Sequence, residues 1–126
     1  MRYRQSLSAL LLGSVLILSL TANASDEYNT SKSLTTVGKP LGLHGVDPVA
    51  FIPLGGRVDG SAEYAQVRDG VAHYFSSAEK GAAFTENPNA HLPPNGGYCT
   101  LGVSVNKKFD GDPQYADIVN DKIYLF

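Results

Sequence analysis

Thirteen glycines and seven prolines are spread through this 126-residue chain. They cut it into brief elements, because glycine loosens the backbone and proline ends regular pairing. The chain also has a single cysteine, Cys99. No disulfide within the chain can therefore staple the fold, and stability has to come from packing. The alternation in Tyr64-Ala65-Gln66-Val67-Arg68 reads as a strand, Asp69-Gly70 as a two-residue hairpin turn, and Val71-Ala72-His73-Tyr74-Phe75 as the returning strand. Val49-Ala50-Phe51-Ile52 is a short apolar run and reads as a strand. Ser76 or Ser77 caps a helix through Phe84, with Ser76 and Glu79 at capping-box spacing, and Asn87-Pro88 ends it. Tyr98 to Val105 reads as a strand or a short helix. Asp112-Pro113 starts a helical turn, and Ile118 to Phe126 forms a terminal hairpin around Asn120-Asp121. The predicted class is α+β: a small antiparallel sheet with one or two short helices in a single domain. Tyr74, Phe75, Phe84, Tyr98 and Tyr124 supply most of its aromatic core.

The N-terminus is expected to be an export signal. Arg2 and Arg4 precede the apolar run Leu7–Leu20, and Ala22-Asn23-Ala24 offers a small-x-small cleavage site. The 14 residues from Leu7 to Leu20 fall short of a bilayer span, which takes roughly 20. Residues 1–24 are thus read as a cleaved signal peptide of the general secretory route, residues 25–40 as a polar flexible leader, and 41–126 as the folded domain. The product is expected in a bacterial periplasm or outside the cell, with no membrane span left. Removing residues 1–24 from the 126 leaves 102, with eight Lys and Arg against twelve Asp and Glu, a net charge of −4. Such a surface is a poor partner for nucleic acid.

The candidate metal donors are His44, His73, His91, Cys99 and nearby carboxylates, chiefly Asp47. Thiolate with imidazole suits copper or zinc by ligand softness. His44 and Asp47 are three apart in a turn, where they can share one ion, and Gly96-Gly97 lets Cys99 approach that turn. The expected site is Cys99, His44 and Asp47. The alternatives stay open: Cys99 as a small buried hydrophobe, His73 as a strand residue that faces solvent or hydrogen-bonds locally, His91 as a solvated loop residue, and Asp47 as a turn or cap device. No phosphate loop, cysteine-hydrolase signature or c-type haem attachment motif occurs. The reading is therefore non-catalytic, with a Cys99-dependent enzyme as the less favoured alternative.

Several segments, taken in order, resemble the YHS domain family, in its secreted single-domain form. They are Gly45-Val46-Asp47-Pro48-Val49-Ala50-Phe51, His73-Tyr74-Phe75-Ser76-Ser77-Ala78-Glu79, Gly96-Gly97-Tyr98-Cys99, Gly111-Asp112-Pro113 and Ile123-Tyr124-Leu125. Together they cover about residues 41–126. Cysteine-rich members of that family look like metal-binding modules. Their cysteines match Ala50, Ser76 and Lys80 here, so their thiolate cluster does not carry over. The resemblance implies an exported domain that binds a transition-metal ion or small ligand. The competing reading is a structural or protein-interaction module with an inert thiol. A histidine-dependent site would weaken below about pH 6, since an ordinary imidazole titrates near 6.5.

Overall fold

A computed structural model describes residues 27–126, and the expected signal peptide lies outside the described residues. The fold is α+β. It has strands β1 (Thr30–Leu34) and β2 (Pro40–Gly42), helix α1 (Pro48–Leu54), strands β3 (Ser61–Arg68) and β4 (Val71–Phe75), helices α2 (Ala78–Glu86) and α3 (Thr100–Ser104), and strands β5 (Ala116–Val119) and β6 (Lys122–Leu125). Four strands form one sheet in the order β1-β2-β4-β3, and β5-β6 is a separate hairpin. The larger sheet is mixed. β2 and β4 run parallel, with Leu41 opposite Ala72, while the β1–β2 and β3–β4 pairs are antiparallel. A parallel pair needs a crossover, and the segment from α1 through β3 supplies it.

The run Val49–Ile52, expected as a strand, lies within α1. Asp47 accepts from the amides of Val49 at 2.8 Å and Ala50 at 3.0 Å, and Pro48 occupies the first helical position. This is the Asp-Pro start signal, and it outweighs the β preference of Val49 and Ile52. Gly55 closes the helix in the left-handed region (φ 69°), its amide bonded to the Ile52 carbonyl at 3.1 Å.

The two hairpin turns follow their sequence signals. Asp69 and Gly70 have φ of 49° and 78°, and Asn120 and Asp121 have φ of 49° and 57°. Positive φ at both central residues matches the right-handed twist of the flanking strands. Ser77, rather than Ser76, caps α2 by accepting from the Lys80 amide at 3.2 Å. Asn87 ends that helix and Tyr98–Val105 resolves into α3.

Part of the expected leader belongs to the fold. Thr30–Leu34 pairs with β2, and the Asn29 amide donates to the Gly96 carbonyl at 2.8 Å. Polar residues suit an edge strand that buries little, and four of the five β1 residues are exposed.

The core gathers Leu43, Val46, Phe51, Ile123 and Leu125 between α1 and the terminal hairpin. Phe75 and Phe84 pack against each other at 5.0 Å between sheet and α2. Phe75 and Phe84 are buried as expected, whereas Tyr74, Tyr98 and Tyr124 are half-buried. A phenol placed at the core margin keeps its hydroxyl within reach of a partner.

Asp47 holds these parts together. It is fully buried. One carboxylate oxygen takes the two α1 amides, and the other accepts from the Ser76 amide at 2.8 Å and the Ser76 hydroxyl at 2.7 Å. The α1 start is thereby clasped to the β4–α2 junction, 29 residues away. Removing the carboxylate leaves the Val49 and Ala50 amides and the part-buried Ser76 amide and hydroxyl without their acceptor, and a group left unpaired in the interior costs about 1–3 kcal/mol. Asp47→Ala should therefore lower unfolding free energy by about 3 kcal/mol or more, and Ser76→Ala by about 1 kcal/mol. Urea denaturation checks both, and an Asp47→Ala loss below about 1 kcal/mol would count against the clasp.

Candidate functional site

The most unusual backbone in the described chain precedes α1. Leu43, His44 and Gly45 have φ of 53°, 52° and 79°. A left-handed conformation costs an L-residue roughly 1–2 kcal/mol, and a bulky leucine is rarely found there. The turn is held by the Val46 amide on the Leu43 carbonyl at 2.9 Å and the Gly60 amide on the Gly45 carbonyl at 2.8 Å. Its effect is to divide two adjacent side chains. Leu43 enters the core, while His44 stays exposed.

His44 Nε2 lies 2.8 Å from Asp110 Oδ1. An ionised carboxylate only accepts, so this contact places the imidazole proton on Nε2. The Nδ1 lone pair then faces away from the pair. Asn29 steadies the carboxylate, its side-chain amide donating to Asp110 Oδ1 at 2.6 Å and to the Gly97 carbonyl at 3.1 Å. Partial burial pushes the Asp110 pKa up, but the hydrogen bonds from Asn29 and His44 outweigh it and hold the carboxyl below its usual value. A groove of about 420 Å³ opens beside the pair, lined also by Thr30, Ser31, Lys32 and Leu41.

The structure does not assemble the expected trio. Asp47 is sealed in the core, and both its oxygens are occupied by protein donors. It is a cap and clasp. Cys99 is a half-buried free thiol at the start of α3. Its amide bonds to the Phe109 carbonyl at 3.0 Å, and the preceding Tyr98 bridges Asp110. Cys99 is thus one residue along the chain from the partner of Asp110. Gly111 permits this approach, because a Cβ there would collide with the Gly97 carbonyl and sit 3.0 Å from the Cys99 amide nitrogen. Among the described residues, no three His, Cys, Asp or Glu side chains converge as a ready-made metal cluster.

Asp110 and Asn29 are site residues that sequence reasoning missed. Asp110 stands in a turn-rich segment, and Asn29 in a stretch read as leader. Their partner His44 is 66 residues from Asp110, so no local spacing announces the pair.

His73, expected to face solvent or hydrogen-bond locally, is instead only 4% exposed, and its Nδ1 has no hydrogen-bond partner. β4 is one of the sheet's two inner strands, and α2 covers the face carrying His73, whose ring packs 5.2 Å from Phe84. Gly42 makes the space, since a Cβ there would meet the ring at 2.8 Å. Nδ1 is buried without a partner beside a cavity of about 20 Å³. His91 is half-buried, and burial lowers its pKa against a smaller opposing influence of the Asp47 charge.

No family model, no curated protein and no solved structure matches this chain. Among the described residues, no helix is long and apolar enough to cross a membrane.

Burial lowers the His73 pKa to about 4. The unfolded chain takes up that proton near the ordinary value of about 6.5. The unfolded state alone binds it as pH falls through this window, so stability is full above about 6.5 and declines until about 4. The predicted loss is on the order of 3 kcal/mol. Unfolding free energies at several pH values, compared between the native protein and His73→Phe, should differ in slope across that interval. Parallel curves would refute the assignment.

Proposed function

We propose that this chain is an exported, non-catalytic YHS-like domain that binds a transition-metal ion, copper or zinc, or a small polar ligand, through His44. The observation that carries the reading is the His44–Asp110 pair at 2.8 Å beside an open groove. Metal-binding histidines generally donate their second ring N–H to a carboxylate, which fixes the tautomer and makes the remaining nitrogen a better donor. In this chain Asp110 takes that N–H, Asn29 orients Asp110, and Nδ1 of His44 is the donor offered to a ligand. Cys99, half-buried and in the adjoining segment, is the soft ligand that would join it. Asp47 has no place in this donor set, and Asp110 acts from behind His44. Such a site is completed by the incoming ion rather than standing preassembled, which favours weak or transient binding. The order of the YHS-like segments and the α+β fold support the same reading.

Nothing in this arrangement points to catalysis. A cysteine nucleophile needs a base in hydrogen-bond contact and an oxyanion site. His44 is hydrogen-bonded to Asp110, and among the described residues no imidazole is hydrogen-bonded to the Cys99 thiol.

Equilibrium dialysis of the exported protein against Zn²⁺ and Cu²⁺ tests the proposal. One ion should bind per chain. His44→Ala should abolish binding, and Cys99→Ser should weaken it. Asp110→Asn should weaken it about 10–100-fold, the usual cost of losing a carboxylate behind a ligating histidine. Urea midpoints close to the native value would show that these variants still fold. Retention of neither metal by the native protein, or equal retention by His44→Ala, would refute the proposal.

A further inference from the structure

Among the described residues, His73 Nδ1 is the one buried side-chain nitrogen or oxygen without a hydrogen-bond partner. A polar atom withdrawn from solvent and left unpaired is costly, and in native structures such an atom is generally met by protein or by an ordered water. Burial also keeps this ring neutral, with a pKa of about 4, so one of its nitrogens accepts and the other donates.

The edge of the ring that carries Nδ1 is turned toward a cavity. A Cβ added at Gly42 would meet Cε1 at 2.8 Å and Nδ1 at 3.1 Å, so this edge lies against the bare α-carbon of Gly42. Gly42, Val71 and His73 contribute one wall of the cavity of about 20 Å³, where β2 runs beside β4. Leu92 and Pro93 contribute an apolar wall. Tyr28 and Asn29 also line it, on a segment tied down by the Asn29 amide on the Gly96 carbonyl at 2.8 Å and by the Tyr98 hydroxyl on the Tyr28 carbonyl at 3.2 Å.

The volume selects the occupant. A buried water needs about 10–15 Å³ of such space, whereas pockets for organic ligands run to about 300 Å³ or more. An entirely apolar cavity of this size would stay dry, but one with an unpaired imidazole nitrogen at its wall offers water a partner. A water needs at least one more. Both hydrogen bonds described for the Asn29 side chain leave from Nδ2, to Gly97 and Asp110, and Oδ1 is the acceptor beside them.

We propose that this cavity is a binding site for a single buried water that bridges His73 Nδ1 and Asn29 Oδ1. The water donates to Oδ1, and it either donates to Nδ1 or accepts from it, so it serves both neutral tautomers of the ring. Contacts then run from β4 through the water to Asn29 and on to Asp110. The residue that steadies Asp110 is itself held from the interior of the domain. The water site stands whether or not His44 binds a metal.

Oxygen-17 magnetic relaxation dispersion, together with water–protein cross-relaxation in proton NMR, tests this on the metal-free exported protein. Oxygen-17 reports the water itself and is blind to the exchangeable phenol proton of Tyr28. The native protein should show a long-lived internal water, with cross-relaxation to the His73 Hε1 and Gly42 Hα protons. His73→Phe, which removes Nδ1, should abolish the cross-relaxation at Gly42 and lower the dispersion amplitude by the share of one water. Asn29→Ala, which keeps Nδ1, should shorten the residence time about tenfold, the scale of one lost hydrogen bond. Absence of water cross-relaxation at His73 in the native protein would mean a dry cavity and overturn the proposal. So would an unchanged dispersion amplitude in His73→Phe, or an unchanged residence time in Asn29→Ala.

Discussion

One buried carboxylate organises this domain. Asp47 accepts four hydrogen bonds, two from the first turn of α1 and two from Ser76. A carboxylate in the interior is tolerated only when its lone pairs are used, and here each oxygen has two donors. The clasp joins elements that no regular pairing connects. It sets where α1 begins, how α1 meets α2, and where the turn before α1 must stand. The core of Leu43, Val46, Phe51, Ile123 and Leu125 packs against a helix whose starting point is given by that anion.

The turn at Leu43-His44 follows from the same constraint. With Val46 buried and α1 anchored at Asp47, the chain has few residues in which to leave β2 and reach the helix. It does so through three successive left-handed residues. Two of these are not glycine, so the turn carries strain that the core must offset. Strained non-glycine backbone tends to gather where side chains are held for a purpose. In this turn the strain separates a core leucine from an imidazole held against Asp110, and this couples the packing of the interior to the position of the candidate ligand.

Elements whose signals are local were legible in the sequence. Asp69-Gly70 and Asn120-Asp121 each specify a hairpin through their own backbone preferences, and Asp112-Pro113 starts its helical turn with the Asp112 carboxylate on the Gln114 amide. Elements governed by distant partners were not. Val49–Ile52 has strand composition, and only the cap beneath it and the partner at Ser76 make it a helix. Thr30–Leu34 has too few apolar residues to announce a strand, yet β2 offers it an edge. His73 alternates correctly along its strand, but the sequence does not say that α2 will cover its face. At the candidate site, His44 could be singled out from the sequence as a candidate. Its partner Asp110 was not, because the contact depends on how the whole domain closes.

Asn29 spans that closure. Its side chain binds the Gly97 carbonyl and the Asp110 carboxylate, 68 and 81 residues further on. Ile123 and Leu125, which complete the core, come later still. A chain threading through a translocation pore from its N-terminus would deliver these partners last. β1 could pair with β2 early, but the Asn29 side chain would wait for Gly97 and Asp110, so the contact that steadies the Asp110 carboxylate would form late.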